Sequence, residues 1–125
     1  MAQYELQDDG SVTVHNIGHR FIQGWSDVRA NAVLADTGDA SLVVDFTGKG
    51  ADPSGTPNYT VLDTDYETYS IIYACGGLLG LASWDFLWIM SRTPTLDDAT
   101  LLTLIDKIEE RLPNYGFFDN HQMTR

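Results

Sequence analysis

The stretch from Asn58 to Arg92, NYTVLDTDYETYSIIYACGGLLGLASWDFLWIMSR, decides the fold. It holds three apolar, aromatic-rich runs, each about the length of a strand. The polar turn Thr64-Asp65-Tyr66-Glu67 divides the first two, and Gly76, Gly77 and Gly80 divide the last two. Tyr59, Tyr66, Tyr69, Tyr73, Trp84, Phe86 and Trp88 make up half of the chain's aromatic side chains, so much of the packing is expected here.

The residues before this stretch repeat the same pattern. Ala2 to Gln7 alternates and ends at Asp8-Asp9-Gly10, a tight-turn signal. Ser11 to Asn16 alternates again, with Val12, Val14 and Asn16 on one face, so the pair reads as a hairpin. Gly18 to Gly24 reads as a loop carrying His19 and Arg20. Trp25 to Ala35 places Val28, Ala30, Ala32 and Leu34 on one face, and Ser41 to Phe46 does so with Leu42, Val44 and Phe46. Thr47 to Pro57, rich in Gly and Pro, is expected to be a mobile loop.

After Arg92 the period changes. Leu101, Leu104, Ile105, Ile108 and Leu112 form one apolar stripe of a helix over about 97–112. Thr95 is the expected N-cap of a capping box with Asp98, and Pro113 stops the helix. The tail 113–125 has room for a short strand around Phe117-Phe118.

Composition sets the outer bounds. The 125 residues are enough for a single domain with a real core, and 43% hydrophobic with 11% aromatic residues argues for a folded protein. A net charge of −11 disfavours nucleic acid and anionic membrane surfaces as partners. No run reaches the length of a membrane span, because Gly80 and Asp85 interrupt Leu78 to Met90. The start, MAQYELQDDG, has neither the basic nor the apolar region of a signal peptide. The single cysteine, Cys75, excludes a disulfide within the sequence and any Cys-based zinc site.

The order is therefore seven short antiparallel strands followed by one helix, an all-β chain of the sandwich or up-and-down barrel kind, with consecutive hairpins favouring the barrel. Inward candidates mix small residues (Ala30, Ala32, Ala74) with aromatics (Phe46, Tyr59, Phe86, Trp88), which suits an apolar cup for a small molecule.

These residues carry a family resemblance. Thr64-Asp65-Tyr66 followed by YSIIYAC resembles the second conserved block of the lipocalins, and DFLWIMSRTPTL (85–96) resembles the third, an aromatic strand ending in Ser-Arg before the helix. Asp8-Asp9-Gly10 with SVTVHN is similar to a hairpin of the apolipoprotein D, bacterial lipocalin and bilin-binding branch. The resemblance, which runs from Ala2 to about Leu112, implies a calycin barrel that binds, carries or sequesters a small hydrophobic ligand such as a bilin, retinoid, carotenoid, fatty acid or sterol. It implies no enzyme and no required cofactor. Carried over by position, the ligand-facing side chains would be Val14, Asn16, Val28, Ala30, Val44, Phe46, Tyr59, Val61, Ile72, Phe86 and Trp88. A bulge in the strand with Tyr59 would replace Tyr59 and Val61 by Thr60 and Leu62. The motif residues are Thr64, Asp65, Tyr66, Cys75 and Arg92.

Two departures matter. The family's opening strand with its Gly-x-Trp is absent, and Gly24-Trp25 falls after the first hairpin. In the family the Arg corresponding to Arg92 packs over that Trp. The expectation is that the sequence belongs to a longer chain, or that another chain or segment supplies the strand, since an open seven-stranded sheet leaves two unpaired edges. In the apolipoprotein D branch the cysteine at the position of Cys75 pairs with one near the N-terminus; the other reading is a free buried thiol. The compartment follows the same fork: secreted for a piece of an apolipoprotein D-like precursor, otherwise intracellular or organellar. The second functional reading is a structural or assembly subunit whose barrel another chain completes.

Other polar groups read as structural. His15, His19 and His121 have no i,i+4 partner for a metal. Asp63, Asp65 and Glu67 solvate a turn, with a cation site as the alternative. Ser70, Ser83 and Ser91 have no triad order around them. Asn58-Tyr59-Thr60 is a sequon that would carry sugar only on the secretory route.

Overall fold

A computed structural model describes residues 1–20, 24–78, 82–113 and 115. Among them lie β1 (Ala2–Leu6), β2 (Val12–Arg20), β3 (Gly24–Leu34), β4 (Ser41–Asp45), β5 (Tyr59–Thr64), β6 (Tyr69–Leu78), β7 (Ala82–Ser91) and α1 (Asp98–Arg111). The strands follow one another in chain order in the sheet, and the pairings β1–β2, β2–β3, β3–β4, β4–β5 and β6–β7 are all antiparallel. The chain divides into two compact units, Met1–Thr60 and Val61–Arg125.

In the first unit the hairpin of β1 and β2 turns at Gly10, whose φ of +83° is in the left-handed region that glycine tolerates best. Asp9 accepts the Ser11 amide at 2.9 Å and so fixes that turn. The expected loop at Gly18 to Gly24 is a correction: β2 continues through Gly18 and His19 to Arg20, where it pairs with Gly24. Cross-strand bonding to β3 overrides the weak strand preference of Gly18. Residues 21–23, between these strands, lie outside the described set.

The Gly/Pro-rich segment after β4 is the expected loop, and it is tied to the strands beside it. Asp45 accepts the amides of Thr47 and Gly50, each at 2.8 Å, and the Ala51 amide donates to Asn31. Further along, the Pro53 carbonyl accepts the Asp36 amide at 3.1 Å, and Gly55 packs against Val43. The segment therefore lies on the face of β3 and β4 that carries Asn31 and Val43. Asn58 closes it: its side-chain amide accepts from the Val44 N–H and donates to the Val44 carbonyl, at 2.8 and 2.9 Å. The sequon asparagine thus has a structural job as a strand mimic.

In the second unit α1 covers one face of the β6–β7 pair. Ile71, Leu104 and Ile108 are each about 1% exposed, and Leu62, Tyr69, Leu87, Ile89 and Leu96 pack around them. Burial of each large aliphatic side chain contributes about 1.5–3 kcal/mol. The helix cap differs from the expectation at Thr95. Asp97 is the N-cap, accepting the Thr100 amide at 2.9 Å, and its carboxylate also takes the Thr100 hydroxyl. An aspartate satisfies an orphan amide and complements the helix dipole at once, so it outcompetes the threonine two residues earlier. The strand expected around Phe117-Phe118 lies outside the described residues.

Candidate functional site

Each unit presents an apolar sheet face. In an antiparallel ladder, directly paired residues point to the same side. In the first unit Tyr4, Val14 and Ala30 share a side, as do Ala2, Asn16 and Val28, and Val12, Ala32 and Val44. Leu42 pairs with Tyr59 and carries that side onto β5. Val14, Ala30, Val44 and Tyr59 are buried, whereas Val28 is 42% exposed. Phe46 follows the last residue of β4 and is half exposed. The opposite side carries Thr13, His15, Asp27, Arg29 and Asn31, a polar surface in which His15 Nε2 lies 2.7 Å from Asp27.

Two polar features interrupt the apolar side. The hydroxyls of Tyr4 and Tyr59 are 2.6 Å apart. Burial pushes both tyrosines above their ordinary pKa, and the neighbouring Tyr4 pushes Tyr59 further. The second feature is Asn16, whose side-chain oxygen Oδ1 is shut off from water and has no hydrogen-bond partner among the described residues.

In the second unit Ile72 pairs with Trp88, Ala74 with Phe86 and Ser70 with Met90, all on the side of β6–β7 away from the α1 core. Phe86 and Trp88 stack at 5.4 Å between centroids with their planes 19° apart. Ile72 is buried, Trp88 is half-buried, and Phe86 is 47% exposed. On β5, Leu62 packs into the α1 core, and the Thr60 hydroxyl lies 3.1 Å from that of Ser41, with which Thr60 pairs.

The motif residues are mainly structural. Thr64 donates to the Tyr69 carbonyl at 2.7 Å and accepts the Tyr66 amide. Asp65 accepts the amides of Glu67, Thr68 and Tyr69, and these bonds, with that from the Thr68 hydroxyl first, hold its carboxyl far below the usual range. Tyr66 has a φ of +67°, and this network offsets the cost of that conformation in a non-glycine residue. Cys75 is a free, half-buried thiol paired across the ladder with Asp85. The Arg92 amide donates to the Thr68 carbonyl, while its side chain is exposed.

Sequence reasoning missed two residues. Tyr4 shares its alternation with Ala2 and Leu6, a signal of facing, but its partner is 55 positions away. Lys107 on α1 donates to Asp63 at 2.6 Å and to the Tyr69 hydroxyl at 2.7 Å, clamping the helix to β5 and β6. Among the described residues no group of three or more His, Cys, Asp or Glu side chains could hold a metal ion, and no helix is long and apolar enough to cross a membrane.

An alternating antiparallel meander, a tied Thr-Asp-Tyr turn and one helix over the last hairpin together define a family. Residues 1–119 match the lipocalin-like domain. The chain is a lipocalin. It is 30% identical over 112 residues to the outer membrane lipoprotein Blc of Vibrio cholerae, covering 88% of this chain and 60% of that protein. It is 34% identical over 125 residues to purpurin of Gallus gallus, covering 94% and 64%. It is 34% identical over 106 residues to apolipoprotein D of Bos taurus, covering 84% and 54%. This lipocalin thus spans less than two thirds of each of these relatives. Lobster apocrustacyanin A1 and apocrustacyanin C2 superpose with TM-scores of 0.62 at 20% identity, over 87% of this chain and 57% of theirs. At that identity they share the fold, an antiparallel lipocalin meander with a C-terminal helix.

Proposed function

We propose that this lipocalin binds and sequesters or transports a small hydrophobic molecule against its inner strand faces. Lipocalins are in general non-enzymatic binding proteins for such ligands. The observation that carries the reading is the stacked Phe86–Trp88 pair, large apolar rings that lie on the side of β6–β7 away from the α1 core, with Phe86 47% exposed. Burying such rings against a ligand contributes about 25 cal/mol per Å² before the costs of association. Val14, Ala30, Val44 and Tyr59 supply an equally apolar wall in the first unit. A bilin, retinoid, carotenoid, fatty acid or sterol would each satisfy an apolar face of this kind, and the reading needs no resident cofactor.

The test is tryptophan fluorescence during titration with a panel of these compounds, together with the visible absorption of the purified protein. Saturable quenching at micromolar concentration, or a visible band, supports the carrier. An unchanged signal across the whole panel overturns it.

One observation favours a second reading, a barrel completed by another chain. Among the described residues β1 pairs with β2 alone, and on it Leu6 is 74% exposed. An uncovered apolar residue on an edge strand invites pairing. Sedimentation of the purified protein separates the readings, since a stable monomer excludes obligate assembly.

A further inference from the structure

We infer that Tyr73, Tyr115 and Asp85 form a binding site for a quaternary ammonium cation, on the side of β6–β7 opposite the one proposed for the hydrophobic ligand. Tyr73 pairs with Leu87 and Cys75 with Asp85, so Tyr73 and Asp85 share the side whose Leu87 packs against α1. Tyr115 reaches the same place from the turn that closes the helix, where its amide donates to the Leu112 carbonyl at 2.9 Å. The two tyrosine rings stand 6.3 Å apart between centroids, at 87° to each other. They make two walls of a corner, and both remain half-buried.

Two perpendicular tyrosines alone would be ordinary packing, and the carboxylate beside them is what asks for a ligand. Asp85 is exposed, and its contact with the Tyr73 hydroxyl, at 3.5 Å, is at the outer limit of a hydrogen bond. Among the described residues the ion pairs involve Asp27 and Asp63, and no Lys or Arg neutralises Asp85. Burial first, and the Asp85 charge after it, push Tyr73 and Tyr115 above their ordinary pKa. The rings therefore stay neutral, their faces attract a cation, and Asp85 supplies the full negative charge.

The same groups select the kind of cation. One carboxylate offers too few oxygens for a divalent metal, and among the described residues no cluster could hold one. A primary ammonium is strongly hydrated and loses its water at a cost. A methylated ammonium spreads its charge over methyl groups that lie flat against ring faces. The net charge of −11 draws such a cation in from solution.

The test follows the methyl proton signals of choline by NMR as the intact protein is added, with neohexyl alcohol, its uncharged carbon isostere, in parallel. Choline should bind saturably with a Kd of about 1 mM, and the isostere about tenfold more weakly or worse. Asp85→Asn and Tyr115→Leu should each weaken choline about fivefold. Equal binding of choline and its isostere overturns the inference, and so does full choline affinity in Asp85→Asn. Phosphocholine carries the same cation beside a phosphate. Tighter binding than choline assigns the cation to a lipid headgroup and weaker binding to a free ammonium compound, and either supports the site. Absence of binding by both overturns it. The choline–isostere comparison on the unmodified protein decides even if a variant does not fold.

Discussion

The hydroxyl of Tyr4 on β1 lies 2.6 Å from the hydroxyl of Tyr59 on β5, with three strands between them in the sheet. Flat strands would hold these positions roughly 19 Å apart. The sheet of the first unit is therefore strongly coiled, with the side of Val14 and Ala30 concave. The tyrosine pair ties the two ends of that arc.

Removing one end of the tie should loosen the arc. Tyr59→Phe is expected to lower stability at neutral pH by about 1 kcal/mol, read from the urea midpoint. The pH dependence has a definite sign. Both tyrosines have folded-state pKa values above the ordinary 10.0, so their contribution is complete below about pH 10 and is lost as pH rises beyond it. The alkaline decline of Tyr59→Phe should be shallower than that of the unmodified protein, and identical slopes would contradict the assignment.

The contact of α1 with β6 and β7 should dominate the stability of the second unit. Ile108→Ala is expected to cost about 2–5 kcal/mol. Leu102→Ala, on a helix residue 62% exposed, should stay within about 0.5 kcal/mol. Comparable losses in chemical denaturation of the two variants would refute the packing described for Ile71, Leu104 and Ile108.

Asp65 makes the turn between β5 and β6 sensitive to acid. Its carboxyl is held below the usual range, so the stability it provides is present above about pH 4 and falls away as pH drops toward its folded value. Asp65→Asn should melt below the unmodified protein at pH 7, and the gap should narrow toward pH 2. A gap of constant size across that range would rule out the charged turn.

For the ligand, Phe86→Ala should weaken parinaric acid binding about fivefold by removing half of a stacked pair. Circular dichroism of this variant should be unaltered, since Phe86 lies on the side away from the α1 core. Full affinity in a folded Phe86→Ala protein would remove the ring pair from the site.

The strands were legible because Val14, Val28 and Ala30 alternate with polar neighbours, and α1 because its apolar stripe has helical spacing. What escaped the sequence depends on distant partners. Gly18 looked like a loop residue until β3 was placed beside it. The Gly/Pro composition of the segment after β4 suggested freedom, but Asn31 and Asp36 bind it from another strand and another turn. Thr95 and Asp97 are both competent caps, and only geometry chose between them. At the candidate site, the facing of Asn16 could be read from alternation, whereas its missing bond could not.

The segment anchored over β3 and β4 has a consequence for how this protein can be altered. Its ties from Asn31, Val43 and Asp45 reach the back of the strands whose fronts carry Ala30, Ala32 and Val44, and Asp36 adds one from the turn after β3. The α1 core does the same for β6 and β7, behind Ile72, Ala74 and Trp88. Apart from the Tyr4–Tyr59 pair, these fastenings lie on the surface opposite the one proposed for the ligand. The proposed ligand face can therefore be rewritten while these ties stay as they are.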